Sequence, residues 1–191
     1  MHRLKESTLE RAHALDRFLA GIERRAFRMA EFATGNRDDA LDLVQEAMMK
    51  LATSYGHRSE QEWAPLFHRI LHSRINDWHR RSRVRNRFRA WLGGGKHADE
   101  GDAPVDPMQT AVDRRQPDSV RQLQQADAMT TLHAGLRSLP LRQQQAFLLR
   151  SWEGLDVADT ALAMGCSEGS VKTHYSRAVH RLRDLLGEHW P

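Results

Sequence analysis

The stretch from 154 to 186, GLDVADTALAMGCSEGSVKTHYSRAVHRLRDLL, constrains the chain most. It reads as two short helices around Gly165. The first carries apolar Val157, Ala158, Ala161 and Leu162, with Asp156 placed to cap its start. The second begins at Ser167 and sets Val171, Tyr175, Ala178, Leu182 and Leu185 at spacings of four, three, four and three, which is one helical face. Small Ala158 and Ala161 let the two helices approach closely, and Gly165 suits a left-handed turn between them. The opposite face of the second helix shows Lys172, Thr173, Ser176, Arg177 and His180. A helix buried on one side, with short polar and cationic groups on the other, fits the recognition helix of a helix-turn-helix unit. An ordinary helical hairpin fits the same pattern.

The 191 residues allow one medium domain or two small ones. A single cysteine, Cys166, rules out an internal disulfide or a multi-cysteine zinc site. The N-terminal MHRLKESTLERAH has no apolar core of signal type, and no run reaches membrane-spanning length, so no membrane insertion and a cytoplasmic location are expected. Charge is unevenly placed. Residues 1–92 hold 18 Lys and Arg against 12 Asp and Glu, whereas 93–119 hold 3 against 6. Arg69, Arg74, Arg80, Arg81, Arg83, Arg85, Arg87 and Arg89 share 21 residues with one acid, Asp77. Such a run is an electrostatic footprint for a polyanion; a membrane surface or an acidic protein fits it as well, and a helix-turn-helix on the same chain favours nucleic acid.

The pattern predicts an all-α protein of two small helical domains: an N-terminal bundle over 1–92 and a helix-turn-helix domain over 120–191, joined by a flexible linker over 93–119. A first helix spans about 8–33. Gly35 and Asn36 end it, and Asp38 and Asp39 open the next. In that second helix, 39–54, Leu41, Val44, Met48 and Leu51 form an inward stripe. Asp42, Gln45, Glu46 and Met49 lie elsewhere on it and suit docking on a basic coiled partner, though a solvated amphipathic helix reads the same way. A third helix begins between 61 and 64, where a Ser59–Glu62 capping box and Pro65 give conflicting starts, and carries Phe67, Leu71, Ile75 and Trp78 on one side. The linker holds Gly93–Gly95, three prolines and a run of Asp. Beyond it, Leu123, Ala126, Met129, Leu132 and Leu136 mark one helix, and Pro140 starts another with Ala146, Phe147, Leu148 and Trp152.

Other chemistries find little support. His68 and His72 stand four apart, but no acid or cysteine stands with them in sequence to complete a metal site. No nucleophile triad, phosphate-cradling loop or carboxylate pair is present, so neither enzyme nor cofactor is expected. Trp63, Trp91, Trp152 and Trp190 read as packing residues, with Trp91 also placed for exposure.

The order of these parts resembles the extracytoplasmic-function (ECF) group of bacterial sigma factors, the small two-domain sigma subunits of RNA polymerase. The resemblance rests on the DLVQEAMMKL helix, the FHRILHSRINDWHRRSR helix and the segment LRSLPLRQQQAFLLRSWEGLDVADTALAMGCSEGSVKTHYSRAVHRLRDLL, and covers about residues 10–90 and 120–187. It implies a protein that binds core RNA polymerase, recognises −35 and −10 promoter elements and directs initiation, without catalysis of its own. By the same resemblance Asp42, Leu43, Val44, Gln45, Glu46 and Met49 dock on the β′ clamp helices. Arg69, Ser73, Asn76, Trp78, Arg80, Arg81 and Arg83, with Tyr55 and His57 from the preceding loop, handle the −10 element, whose exposed bases are read by stacking and edge hydrogen bonds. Ser170, Lys172, Thr173, His174, Ser176 and Arg177 face the −35 major groove. The family often has Asn at Ser73, a Tyr-Leu pair at Trp78-His79, and Arg at Lys172 and His174. These departures bear on promoter preference, since Lys lacks the guanidinium fork and His174 loses charge near neutral pH. An anti-sigma partner is expected for many relatives. Two rival readings stand beside it: an operator-binding helix-turn-helix regulator that never docks on polymerase, and an RNA-binding adaptor that uses the arginine helix but leaves the C-terminal reader unexplained.

Overall fold

The computed structural model describes residues 2–91 and 119–187, so the expected linker, and Trp190 beyond it, lie outside the described residues. All regular elements among these are helical: α1 (His2–Thr34), α2 (Arg37–Tyr55), α3 (Glu60–Trp91), α4 (Ser119–Ser138), α5 (Leu141–Phe147), α6 (Val157–Met164) and α7 (Glu168–Leu186). A π turn, Leu148–Trp152, continues α5.

Helix boundaries follow local chemistry. Gly35 takes φ 68°, a left-handed value that ends α1. Asn36 then caps α2, its Oδ1 accepting from the backbone N–H of Asp38 (2.9 Å) and Asp39 (3.0 Å). The competing start signals of α3 are resolved in favour of the capping box. Glu62 accepts from the Ser59 N–H at 3.1 Å and its hydroxyl at 2.8 Å, which holds the Glu62 carboxyl below its ordinary value. Pro65 therefore sits in the second turn, buried, rather than at the first position.

The first core is formed by α1–α3. Ile22, Ala26, Val44, Leu51, Trp63, Phe67, Leu71 and Ile75 are at most 2% exposed. Leu41 does not belong to it, being 42% exposed, and Ala40, Leu43 and Ala47 fill its expected place. A second core joins Leu136, Leu148, Leu149, Met164, Val171, Ala178 and Leu182, and Met29 of α1 enters it. Here Leu185 is 49% exposed and Leu186 buried, so the inward stripe of α7 turns by one residue at its end. Met129, expected on the inward stripe of α4, is 53% exposed; Leu123 and Ala126 have no described side chains. Trp63 is a core residue as expected. Trp152 is 41% exposed but sets an edge against Phe32, at 6.2 Å between centroids. The side chain of Trp91 lies outside the described set.

Candidate nucleic-acid and polymerase interface

In the helix-turn-helix, Asp156 Oδ1 accepts from the Asp159 N–H at 2.7 Å and caps α6. Gly165 takes φ 61°, ψ 45°, and Ser167 caps α7 through the Ser170 N–H at 3.2 Å. Val171, Ala178 and Leu182 are sealed in the second core, while Tyr175 is half-buried, stacked on Phe147 at 6.2 Å and within 3.1 Å of the Ser151 hydroxyl. Lys172, Thr173, Ser176 and Arg177 are left exposed along one side. Ser170 is half-buried and its hydroxyl lies 2.9 Å from that of Ser167, and Thr173 donates to the Gly169 carbonyl, so both carry local hydrogen bonds. His174 is half-buried, and burial, then Arg142 and Arg177, push its imidazole below the ordinary 6.5. That shift favours the uncharged ring.

Small Ala161 is buried beneath the helix-turn-helix, but Ala158 is not. It lines a cleft of about 460 Å³ with Arg69, Ala161, Leu162, Gly165 and Cys166. The small face of α6 therefore admits α3 as well as α7.

Helix α3 carries the arginine series. Arg69, Ser73, Asn76, Arg80 and Arg83 recur at four, three, four and three residues, forming one strip away from the Phe67–Leu71–Ile75 core face. Arg69, Ser73, Arg80 and Arg83 are exposed, and Asn76 is half-buried. Arg81 is exposed off the strip and reaches the Asp77 carbonyl at 3.4 Å. Trp78 packs against the first core with its indole nitrogen buried and unpartnered, so it is no free stacking platform as placed. Its neighbour His79 is pushed below its ordinary value by burial.

The loop before α3 divides the two rings assigned to it. Tyr55 packs on the first core, whereas His57 is exposed and lines a cleft of about 760 Å³. Arg11, Arg17, Arg58 and Trp63 line the same cleft. The α1 arginines were not among the candidates from sequence, because nothing along the chain ties Arg11 and Arg17 to a loop 40 residues on. Glu10 and Glu60 line the cleft too, and Arg58 meets Glu62 at 3.5 Å, so the cleft is mixed in charge.

On α2, Asp42, Gln45, Glu46 and Met49 are exposed, with Met49 at 66%. Leu43 and Val44 are buried, 4% and 1% exposed, and hold the helix in place rather than offer a docking surface. Glu46 also meets Arg74 of α3 at 3.4 Å, which brings the acidic patch alongside the arginine helix.

The pair His68 and His72 has company that its sequence neighbours do not supply. Glu153 Oε2 lies 3.5 Å from His68 Nε2. Among the described residues, no group of three or more His, Cys, Asp or Glu is arranged to hold a metal ion. No described helix is long and apolar enough to cross a membrane.

Known proteins resemble this chain in sequence and fold. The family model "Sigma-70, region 4" matches residues 130–182, the part that contains the helix-turn-helix. The RNA polymerase sigma-E factor of Streptomyces antibioticus is 32% identical over 148 residues, covering 78% of this chain and 71% of that one. The chain belongs to the ECF RNA polymerase sigma factors. Similar members include SigM of Mycobacterium tuberculosis (26% identity, 92% of this chain and 78% of that protein) and BldN of Streptomyces coelicolor (31%, 92% and 61%). The sigma factor RpoE of Bartonella quintana, solved in complex with the anti-sigma factor NepR, shares the fold at a TM-score of 0.55 and 22% identity, with 97% and 98% of the two chains covered. This ECF sigma factor accordingly directs transcription initiation, the role that defines its family.

Proposed function

We propose that this sigma factor divides its work among three helices. Asp42, Gln45, Glu46 and Met49 of α2 dock on the β′ clamp helices of core RNA polymerase. Arg69, Ser73, Asn76, Arg80 and Arg83 of α3 engage the −10 element, with His57 and its arginine-lined cleft beside them. Lys172, Thr173, Ser176 and Arg177 of α7 face the −35 major groove. Residues 1–92 and 120–191 act as the corresponding functional units, and no step of nucleotide chemistry belongs to the chain itself. A protein antagonist of anti-sigma type is proposed on the likeness to Bartonella RpoE.

The observation that carries the reading is the exposed acid, amide and methionine patch on α2, joined to the arginine helix through Glu46 and Arg74. A DNA-binding regulator has no use for such a patch, whereas a basic, helical docking partner matches it in charge.

The test is transcription from genomic fragments with sigma-free core polymerase, comparing wild type with a variant carrying Asp42→Ala, Gln45→Ala and Glu46→Ala. Discrete transcripts are expected from wild type and none from the variant. Absence of transcripts and of co-elution with core would overturn the docking role and favour the operator-binding alternative.

A further inference from the structure

One side chain of α7 does not fit the division into a sealed face and a reading face. Tyr175 lies on the inward stripe, four residues after Val171 and three before Ala178, yet it is only half-buried. Its ring stacks on Phe147 of α5, at 6.2 Å between centroids and 17° between planes. The Arg150 guanidinium lies 6.0 Å from the same ring centroid, and Arg150 also donates to the Leu155 carbonyl, just ahead of α6. The Tyr175 hydroxyl lies 3.1 Å from that of exposed Ser151. Arg150 and Ser151 belong to the π turn, whose extra width shows in the Glu153 N–H donating to the Leu148 carbonyl five residues back at 3.0 Å. A single residue of the reader helix thus meets α5, the π turn and, through Arg150, the approach to α6.

The neighbouring inward residues hold α7 down without giving it a direction. Val171 and Ala178 are both 0% exposed, but they are short, and apolar burial has no preferred orientation. A stacked ring with a hydroxyl bond does have one. Sealing the core would be served as well by a leucine at 175, so the phenol answers another need. With its side chains α7 is a cylinder about 5–6 Å in radius, and a roll of about 10° moves a side-chain tip by about 1 Å. Hydrogen bonds to base edges tolerate about 0.5 Å. Whatever fixes the roll of α7 therefore decides which base edges its polar side reaches.

We infer that Tyr175 is a positioning residue for −35 recognition: its bond to Ser151 and its stacking on Phe147 fix the roll of α7 and so aim Lys172 and Arg177 in the major groove. This rests on the −35 role proposed for those two residues. Tyr175 touches no DNA itself and acts through the helix that carries it. Specificity suffers before affinity when the roll is released, because contacts to phosphates survive a small displacement and contacts to base edges do not.

The test uses the full chain assembled with core polymerase, on a genomic fragment that it transcribes and on the same fragment with one base pair of the −35 element exchanged. The two transcript yields give a discrimination ratio. Tyr175→Phe removes only the hydroxyl, and Ser151→Ala removes its partner. Each is expected to lower the ratio by about threefold to tenfold, the contribution of one net hydrogen bond. The double variant is expected to lower it no further, because both changes cut the same bond. Ser151→Thr keeps a hydroxyl and should retain the wild-type ratio. A merely structural role would lower the urea midpoint and the yield on both fragments in proportion, leaving the ratio alone. Ser151 is exposed, so Ser151→Ala reports even if Tyr175→Phe destabilises the domain. An unchanged ratio in both single variants would overturn the positioning role. Lys172→Ala with Arg177→Ala then separates two failures. If that pair lowers the ratio, only the positioning role falls; if it leaves the ratio at the wild-type value, the −35 role of α7 falls and the positioning role with it.

Discussion

Helices α7 and α3 are both proposed to meet DNA, yet they present their cations in different ways. Along α7, Val171, Ala178 and Leu182 are sealed and Lys172, Thr173, Ser176 and Arg177 are exposed on the other side. Along α3 three directions are used at once: Phe67, Leu71 and Ile75 enter the first core, His68 and His72 enter the seam with the C-terminal half, and the strip from Arg69 to Arg83 is what remains. A helix with one buried face keeps its whole opposite face in solvent. A helix with two buried faces keeps only a strip.

The comparison breaks most completely if α3 loses its core. Phe67 is 0% exposed and meets Phe18 edge-on at 6.5 Å, so Phe67→Ala is expected to cost about 3–5 kcal/mol, read from the urea midpoint. Docking and −10 activity should then disappear together. For α7, Lys172→Ala with Arg177→Ala should leave stability within about 0.5 kcal/mol, since both are exposed, but weaken binding to a −35 duplex by about tenfold to a hundredfold. The slope of log affinity against log salt should fall by about one for each phosphate contact removed. An unchanged slope would mean that neither residue meets a phosphate.

Acid sharpens the contrast, because among the described residues only α3 holds deeply buried imidazoles. Burial, reinforced by His68 and Arg142, lowers His72 from 6.5 to about 3. The charged groups around the seam are Arg25 of α1, Arg69 of α3, Arg142 of α5 and Glu153, with His68 beside them. A histidine depressed in the fold leaves the unfolded chain binding more protons below 6.5. Its contribution is therefore full above that pH and is lost as pH falls toward about 3. Glu153 adds in the same direction at lower pH: burial raises its carboxyl, but contacts with His68 and Arg25 outweigh this and the net shift is downward. Stability should fall by up to about 1.4 kcal/mol per pH unit below 6.5, and His72→Leu should flatten that slope in urea titrations at pH 7 and pH 5. Equal slopes in both proteins would remove His72 from the account.

The smallest effect belongs to the turn. Gly165 has open space where a Cβ would sit, so Gly165→Ala carries only the left-handed backbone penalty, about 1 kcal/mol. A much larger loss would show that α6 and α7 are less tolerant of a shift than their spacing suggests.

What could be read from the chain follows the same division. The caps at Asp156 and Ser167, the turn at Gly165 and the four-three spacing of α7 are local signals, and they reappear in place. Ser59 with Glu62 is equally local, and the only error there was to let Pro65 pull the start inward. The second face of α3 was not legible, because periodicity assigns one apolar stripe and His68 and His72 look polar. His68 meets Glu153, 85 residues away, just past a π turn that no spacing rule signals. Leu41 and Leu185 failed for the opposite reason: both have the right chemistry for the core but lie one position off its edge. At the candidate site, exposure separates Leu43 and Val44 from Asp42, Gln45 and Glu46, although a motif quotes them together.

Helix α6 has eight residues, with Ala163 and Met164 buried in the second core and Ala158, Ala161 and Leu162 lining the cleft shared with Arg69. It is thus fitted to two neighbours, one in each half. A chimera that grafts residues 120–191 of another family member onto this N-terminal half would carry its own promoter preference intact. It would also import an outer α6 face shaped for a foreign α3. Such grafts should keep the donor's −35 specificity and lose the host's fit between α6 and α3.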